Sequence, residues 1–176
     1  MSRIVAPSNV RLRPVAETDH DWLIELHNDP QVLHNLTDPR PITLASHMTW
    51  WSSVKDSPKH RRYVFTINDA RAGLAKISDI DVTNSNCLLG GDINIEHRGK
   101  GHARHMWALM LDVVFFGLGL NRAGLTTAEY NTIGQRVYRG LGFKEEGRLI
   151  KHLCRDGIFH DQLCMYMLRD DWVTHE

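Results

Sequence analysis

The chain has 176 residues, 42% of them hydrophobic and 24% charged, so it is long enough to bury a sizeable core and too balanced in composition for a disordered or fibrous polypeptide. Its 21 basic and 21 acidic side chains cancel, which leaves no overall field to draw it to nucleic acid or an acidic membrane. Three cysteines, Cys87, Cys154 and Cys164, are too few and too scattered for a disulfide framework and fit a reducing, cytoplasmic setting.

MSRIVAPSNV contains no apolar stretch of the kind a secretion leader needs. Val10 to Val15 alternates apolar and basic residues, which predicts a strand. Glu17 to Asn28 carries Trp22, Leu23 and Leu26 at helical spacing, and Pro30 stops that helix. A short helical piece over Gln31 to Leu36 and a loop at Asp38-Pro39-Arg40-Pro41 follow. Thr43 caps a helix running to about Lys55, with Leu44, Met48 and Trp51 expected on its inner face. Strands follow at Tyr63 to Ile67, Arg71 to Ile80 and Cys87 to Ile95, with Asn68-Asp69 and Asn84-Ser85-Asn86 as the turns between them.

His102 to Phe116 reads as a helix with Ala103, Met106, Trp107, Met110 and Val114 inward. Asp112 breaks its apolar run, which is too short to span a bilayer. A strand over Arg122 to Ala128 and a helix over Thr132 to Leu141 come next. Two strands, Phe143 to Cys154 and Phe159 to Leu168, flank the turn Arg155-Asp156-Gly157. No linker or repeat divides the chain, so residues 1–176 read as a single domain. The fold class is mixed α/β: an antiparallel meander feeding one strand-helix-strand crossover.

The stretch HRGKGHA, His97 to Ala103, sits between an apolar strand and a helix. A helix start leaves N–H groups without partners and carries the positive end of the macrodipole. Gly99 and Gly101 allow close approach of a ligand, and Arg98, Lys100 and Arg104 add charge. Together they predict an anion site suited to a phosphate or pyrophosphate. The spacing is neither GxxxxGK[ST] nor GxGxxG.

Arg98-Gly99-Lys100-Gly101-His102-Ala103 is similar to the R/Q-x-x-G-x-G/A signature of the GNAT N-acetyltransferase superfamily. Asn131, Tyr138 and Gly142-Phe143 stand where that family has its later motif, and the element order agrees over nearly the whole chain. Gly142-Phe143-Lys144-Glu145-Glu146-Gly147 and Asp156-Gly157-Ile158-Phe159-His160-Asp161 resemble the branch that holds ribosomal-protein and spermidine acetyltransferases. Ser57-Pro58-Lys59-His60-Arg61 looks like the nucleotide-amino-sugar acetyltransferases.

The resemblance implies the GNAT acyl-CoA N-acyltransferase fold: a mostly antiparallel central sheet with flanking helices. It implies acetyl-CoA as co-substrate, held where the fourth and fifth strands splay apart. The pyrophosphate would lie against the backbone of Arg98, Gly99, Lys100, Gly101, His102 and Ala103, with Arg104 nearby. The pantetheine arm would pair with the strand from Asp92 through Ile93, Asn94 and Ile95, and with Asn131, which also suits a helix cap. One strand N–H would hold the acetyl oxygen while an amine attacks through a tetrahedral intermediate. Tyr138 is the implied proton donor to the leaving sulfur. Asp92 is the first candidate for the base, ahead of Glu96 and Glu129.

The acceptor expected from these motifs is an amino sugar, free or nucleotide-linked. A polyamine or a protein N-terminus is the alternative, and a non-catalytic CoA sensor is the reading from another class. Asn35 and Thr37 stand where aromatic residues would hold a nucleotide, while Asp19, Asp21, Glu25, Asp29 and Asp38 offer acids to a polyamine. One of the adjacent Trp50 and Trp51 must face outward and can floor an acceptor pocket. His97, His102 and His105, and the set His152, Cys154, His160 and Cys164, lack CxxC or HExxH spacing, so no metal is expected. Neither Cys154 nor Cys164 has a neighbouring motif to activate it. The partners expected are a small amine and a monomeric or homodimeric assembly, with no nucleic acid or membrane.

Overall fold

The structure, a computed structural model, describes residues 6–173. The reading of a leaderless amino terminus falls partly on residues 1–5, outside the described residues. Among the described residues seven strands form one sheet: β1 (Val10–Pro14), β2 (Arg61–Ile67), β3 (Ala70–Asp81), β4 (Asn86–Ile93), β5 (Arg122–Ala128), β6 (Lys144–Arg155) and β7 (Ile158–Leu168). The helices are α1 (His20–Asn28), α2 (Pro30–Asn35), α3 (Leu44–Val54), α4 (His102–Asp112), α5 (Thr132–Leu141) and α6 (Arg169–Val173). Sheet order is β1-β2-β3-β4-β5-β7-β6, antiparallel throughout except where β4 meets β5. This is the mixed, mostly antiparallel α/β class read from the sequence.

Local chemistry explains the element ends. Asn68 and Asp69 take φ of 49° and 64°, and Asp156 and Gly157 take 50° and 79°, the two-residue mirror-image turns that match strand twist. Pro30 ends α1 and also opens α2, where a proline loses no helical hydrogen bond. Asp29 caps α2, accepting from Gln31 N at 2.9 Å and Val32 N at 3.1 Å.

Two expectations need correction, and one helix was not foreseen. Glu17 to Asp19 forms a 3₁₀ turn, and α1 starts only at His20. There the Asp19 carboxylate turns back onto Ala16 N at 2.8 Å and pairs with Arg13 and Arg71. Helix α3 has the expected Thr43 cap, but Leu44 is 54% and Met48 39% exposed, while His47 and Val54 are buried. Its inner face is set by a polar contact: His47 Nε2 lies 3.0 Å from His20 Nδ1, with Trp51 edge-on to His20. Helix α6 was not foreseen, because five residues are too few to show a period. It is anchored by buried Trp172, whose Nε1 donates to Asp112 Oδ1 at 2.9 Å.

Helices α4 and α5 cover one face of the sheet, with Met106, Trp107, Met110 and Val114 buried in the main core. A Cβ on Gly91 would stand 2.7 Å from Met106 Cε, so that glycine lets α4 ride close to β4. Helices α1 and α3 cover the opposite face. The parallel β4–β5 pair runs only from Asn86 opposite Arg122 to Leu88 opposite Gly124. Past that point β4 continues to Ile93 while β5 diverges, and the crossover through α4 closes the far side of the gap.

Candidate active site

The gap is lined by β4 at Gly91, Asp92 and Ile93, by Trp107 of α4, and by Asn131 and Tyr138 of α5. It is a cavity of about 190 Å³. A second, of about 460 Å³, shares Ile93, Arg98, Ala103 and Val137 with it and runs out along Gly99, Gly101 and His102. The sequence-predicted anion turn and the predicted proton donor therefore face one continuous groove.

At the turn, Gly99 and Gly101 take φ of 70° and 80°, and a Cβ on either would meet nothing within 4 Å. The outer side of the turn is thus open to a ligand. Arg98 N donates to Ile95 O at 3.2 Å and Arg104 N to Gly101 O at 3.1 Å. Among the described residues the N–H groups of Gly99, Lys100, Gly101, His102 and Ala103 make no such bond and stay free as donors. Arg98 was expected among them and is not. Its side chain also turns inward, to Ile93 O at 2.8 Å, Gln31 Oε1 at 2.6 Å and Asp29 Oδ1 at 3.3 Å. It acts as a strut between the turn and α2. Lys100 Nζ folds back onto Glu96 O at 2.8 Å, and Arg104 reaches Gly140 O at 3.4 Å. Burial lowers the His102 pKa, with the charges of His97, His105 and Lys100 adding to it.

The strand expected through Ile95 ends at Ile93. Asn94 caps a 3₁₀ turn over Ile95–His97, and Ile95 is 54% exposed, so the edge does not run on through Ile95. The cause is local: Asn94 Oδ1 accepts from Glu96 N at 3.2 Å and bends the chain. Asn94 N donates to Ala72 O on β3, so alternation turns the Ile93 N–H the other way, into the gap.

Tyr138 is buried, with its ring edge-on to Trp107 at 4.6 Å between centroids. Burial, reinforced by the Asp92 carboxylate, pushes its phenol above the ordinary value, and the Thr127 hydroxyl offsets part of that. Asn131 caps α5 by accepting from Gly134 N at 3.0 Å, and its Nδ2 donates to Thr127 Oγ1 at 3.2 Å. Asp92 is half-buried and pairs with Lys76, Nζ to Oδ2 at 2.9 Å. Of the other base candidates, Glu96 is exposed and Glu129 lies 3.1 Å from His160 Nδ1.

Asp92 also lines a cavity of about 380 Å³ on the other face of the sheet, under α1 and α3. Its walls are apolar, from Leu23, Leu26, Ile42, Trp50 and Leu74, with Arg62, Lys76, His27 and His47 among them. Trp50 is thus the outward tryptophan, and it does floor a pocket. Arg62 and Lys76 escaped sequence reading, because a cation in a strand reads as solvent-facing until register and covering helices are known. None of the five acids weighed for a polyamine lines this cavity. Asp19 is held by Arg13 and Arg71, Asp29 by Arg98, and Asp38 by Arg40, while Asp21 and Glu25 are exposed. The segment 34–36 above the gap is pinned from the loop after β5 and from β6. Tyr130 Oη donates to His34 O at 2.7 Å, and Arg155 donates to the carbonyls of His34 and Leu36.

Among the described residues no three His, Cys, Asp or Glu side chains converge as metal ligands, and no helix is long and apolar enough to cross a membrane. Register sets Leu153 opposite His160 and Gly147 opposite Cys164, so the His and Cys residues of the last hairpin do not converge. Burial raises the Cys164 thiol, which disfavours a thiolate there.

A family model for the acetyltransferase (GNAT) domain matches residues 9–144. The spermidine N(1)-acetyltransferase of Escherichia coli (strain K12) is 24% identical over 167 residues, covering 94% of this chain and 89% of the relative. The enzyme of the same name from Vibrio cholerae is 27% identical over 165 residues, covering 83% and 91%. A crystal structure of spermidine N-acetyltransferase from Vibrio cholerae in complex with CoA and spermine superimposes with a TM-score of 0.90 at 24% identity, over 95% of this chain and 99% of that one. That structural likeness carries the fold.

Proposed function

The chain belongs to the acetyltransferase (GNAT) family and is an acetyl-CoA-dependent N-acetyltransferase, and from that premise we propose that residues 1–176 act as one domain on the primary amine of a small acceptor. The names of its relatives support a polyamine over the amino sugar expected from the sequence motifs. The observation that carries the reading is the parting of β4 and β5 beyond Leu88 and Gly124, with Asp92 and Tyr138 both lining the gap.

Acetyl-CoA supplies a thioester whose carbonyl the acceptor amine attacks. The residues present fit it: five main-chain donors from Gly99 to Ala103 and the start of α4 suit the diphosphate, on a turn with open space outside it. The Ile93 N–H is placed to hold the carbonyl oxygen as negative charge grows on it. Tyr138, kept protonated by burial, donates to the departing sulfur. Asp92, at the meeting of the two cavities, receives the proton lost by the amine, with Lys76 holding its Oδ2. The walls of the gap and the pinned 34–36 segment orient the two substrates.

Incubation with acetyl-CoA and a panel of amines, with free thiol followed against time, tests this. Saturable release with at least one primary amine is expected. Tight CoA binding with no release across the panel would instead establish the non-catalytic sensor.

A further inference from the structure

The pocket under α1 and α3 carries an unbalanced charge. Register places Arg62 of β2 directly opposite Lys76 of β3, two cations side by side on one sheet face. Such a pair is unfavourable unless each charge is countered. Lys76 has its counter-charge in Asp92. Arg62 has none: among the described residues no carboxylate forms an ion pair with it. Its Nη1 donates to the carbonyls of Arg61 at 3.0 Å and Ile77 at 2.8 Å, and its Nε is buried without a partner. The guanidinium instead lies over the Trp50 ring at 5.6 Å. Burial lowers its pKa to about 10, with Asp79 partly opposing, so it stays charged at neutral pH.

We propose that this pocket selects an acceptor whose amine end reaches Asp92 and whose other end is an oxyanion, a carboxylate or a phosphate, held by Arg62. The inference rests on the acetyl-transfer reading and departs from the polyamine in the relatives' names. Two fixed cations face one carboxylate here, so a second ammonium would enter against Arg62. An oxyanion would form a charge-assisted contact with Nη2 of the guanidinium, to which the described residues offer no acceptor, while Nη1 stays on its two carbonyls. Asp92 and Arg62 stand two strands apart and two residues out of register, about 12 Å between their Cα atoms at the usual strand spacing and rise. An aliphatic body of several carbons spans that distance along the apolar walls.

Three acceptors of one chain length test the far end alone: ε-aminocaproate, hexylamine and hexamethylenediamine. Spermidine and an aminoalkyl phosphate join them, the last to separate phosphate from carboxylate. Thiol release should give kcat/KM for ε-aminocaproate or the phosphate at least about 30-fold above hexylamine, the low end for a buried charge pair. The diamine and spermidine should fall lowest. Arg62→Met should bring that preference close to one, chiefly through KM, and Arg62→Lys should restore part of it. Trp50→Leu, at an exposed helix position, removes the ring under the guanidinium without touching the sheet, and should weaken the same preference. Wild-type preference for spermidine or the diamine, or an unchanged KM for ε-aminocaproate in Arg62→Met, overturns the inference while leaving acetyl transfer intact. If no amine releases thiol, acetyl transfer itself fails. Calorimetric titration of ε-aminocaproate into the CoA-loaded protein then decides the pocket: binding lost in Arg62→Met supports it, and no binding to the wild type sinks it.

Discussion

Lys76 Nζ stands 2.9 Å from Asp92 Oδ2, and Asp92 lines both the gap between β4 and β5 and the pocket under α1 and α3. In the proposed reaction a carboxylate so placed would touch both substrates, and its counter-charge comes from the neighbouring strand.

Asp92→Asn should therefore lower kcat/KM by about a hundredfold, the scale of a lost general base. It should also cost about 1–3 kcal/mol of stability, because Lys76 loses its partner in a half-buried site. The double replacement Lys76→Met with Asp92→Leu should recover stability but not turnover. Denaturant melts and steady-state kinetics on the wild type and the two variants check both parts. Full activity in Asp92→Asn removes the residue from the chemistry.

Tyr138→Phe should lower kcat by about ten- to a hundredfold and leave CoA binding intact. Burial and the Asp92 charge raise the phenol, so the proton is retained as pH rises towards the ordinary tyrosine value of about 10. Wild-type kcat should accordingly show no descending limb below about pH 10 that Tyr138→Phe abolishes. A limb near neutrality that vanishes in the variant contradicts the assignment.

Gly101 holds φ of 80° with open space around it, so a side chain there strains the backbone and does not crowd the turn. Gly101→Val should cost about 1–2 kcal/mol and raise the CoA dissociation constant by about five- to thirtyfold. Gly101→Asn, which tolerates that conformation better, should do less. Calorimetry with CoA orders the two variants, and equal affinities would detach this turn from the cofactor.

Burial, then the charges of His20 and His27, lower the His47 pKa below its ordinary value of 6.5. The unfolded chain thus takes up this proton more readily than the folded one. The stability tied to His47 is complete above about pH 6.5 and is lost as pH falls through the lower folded value. Thermal melts from pH 8 to about pH 5 should show a falling Tm in the wild type and a flatter curve in His47→Gln. Parallel curves would mean that the buried His20–His47 contact is not the sensitive group.

Much of the fold was legible because its signals are local. Alternation marked the strands, left-handed turn residues marked Asn68-Asp69 and Asp156-Gly157, and Thr43 marked a helix start. The glycine turn and Tyr138 were legible because motif spacing carries them. Three features were not. Helix α3 shows a buried histidine where apolar spacing suggested Leu44 and Met48, since His47 has a partner 27 residues away in the chain. The inward course of Arg98 depends on Gln31 and Asp29, which only the packing of α2 brings near. The end of β4 at Ile93 depends on one side-chain bond made by Asn94.

The sequence by itself determined the order of elements, the mixed sheet, the glycine turn that opens α4 and the place of Tyr138 on α5, because hydrophobic period, turn chemistry and motif spacing all act within a few residues. The tertiary structure alone decided that Arg62 and Lys76 are pocket groups, that Asp92 stands between two cavities, and that Asp19, Asp29 and Asp38 pair with arginines of the chain. Those facts come from strand register and from which helix covers which sheet face. Both are set by burying apolar surface across the whole chain, and a one-residue slip in register would turn each of those side chains to the other face.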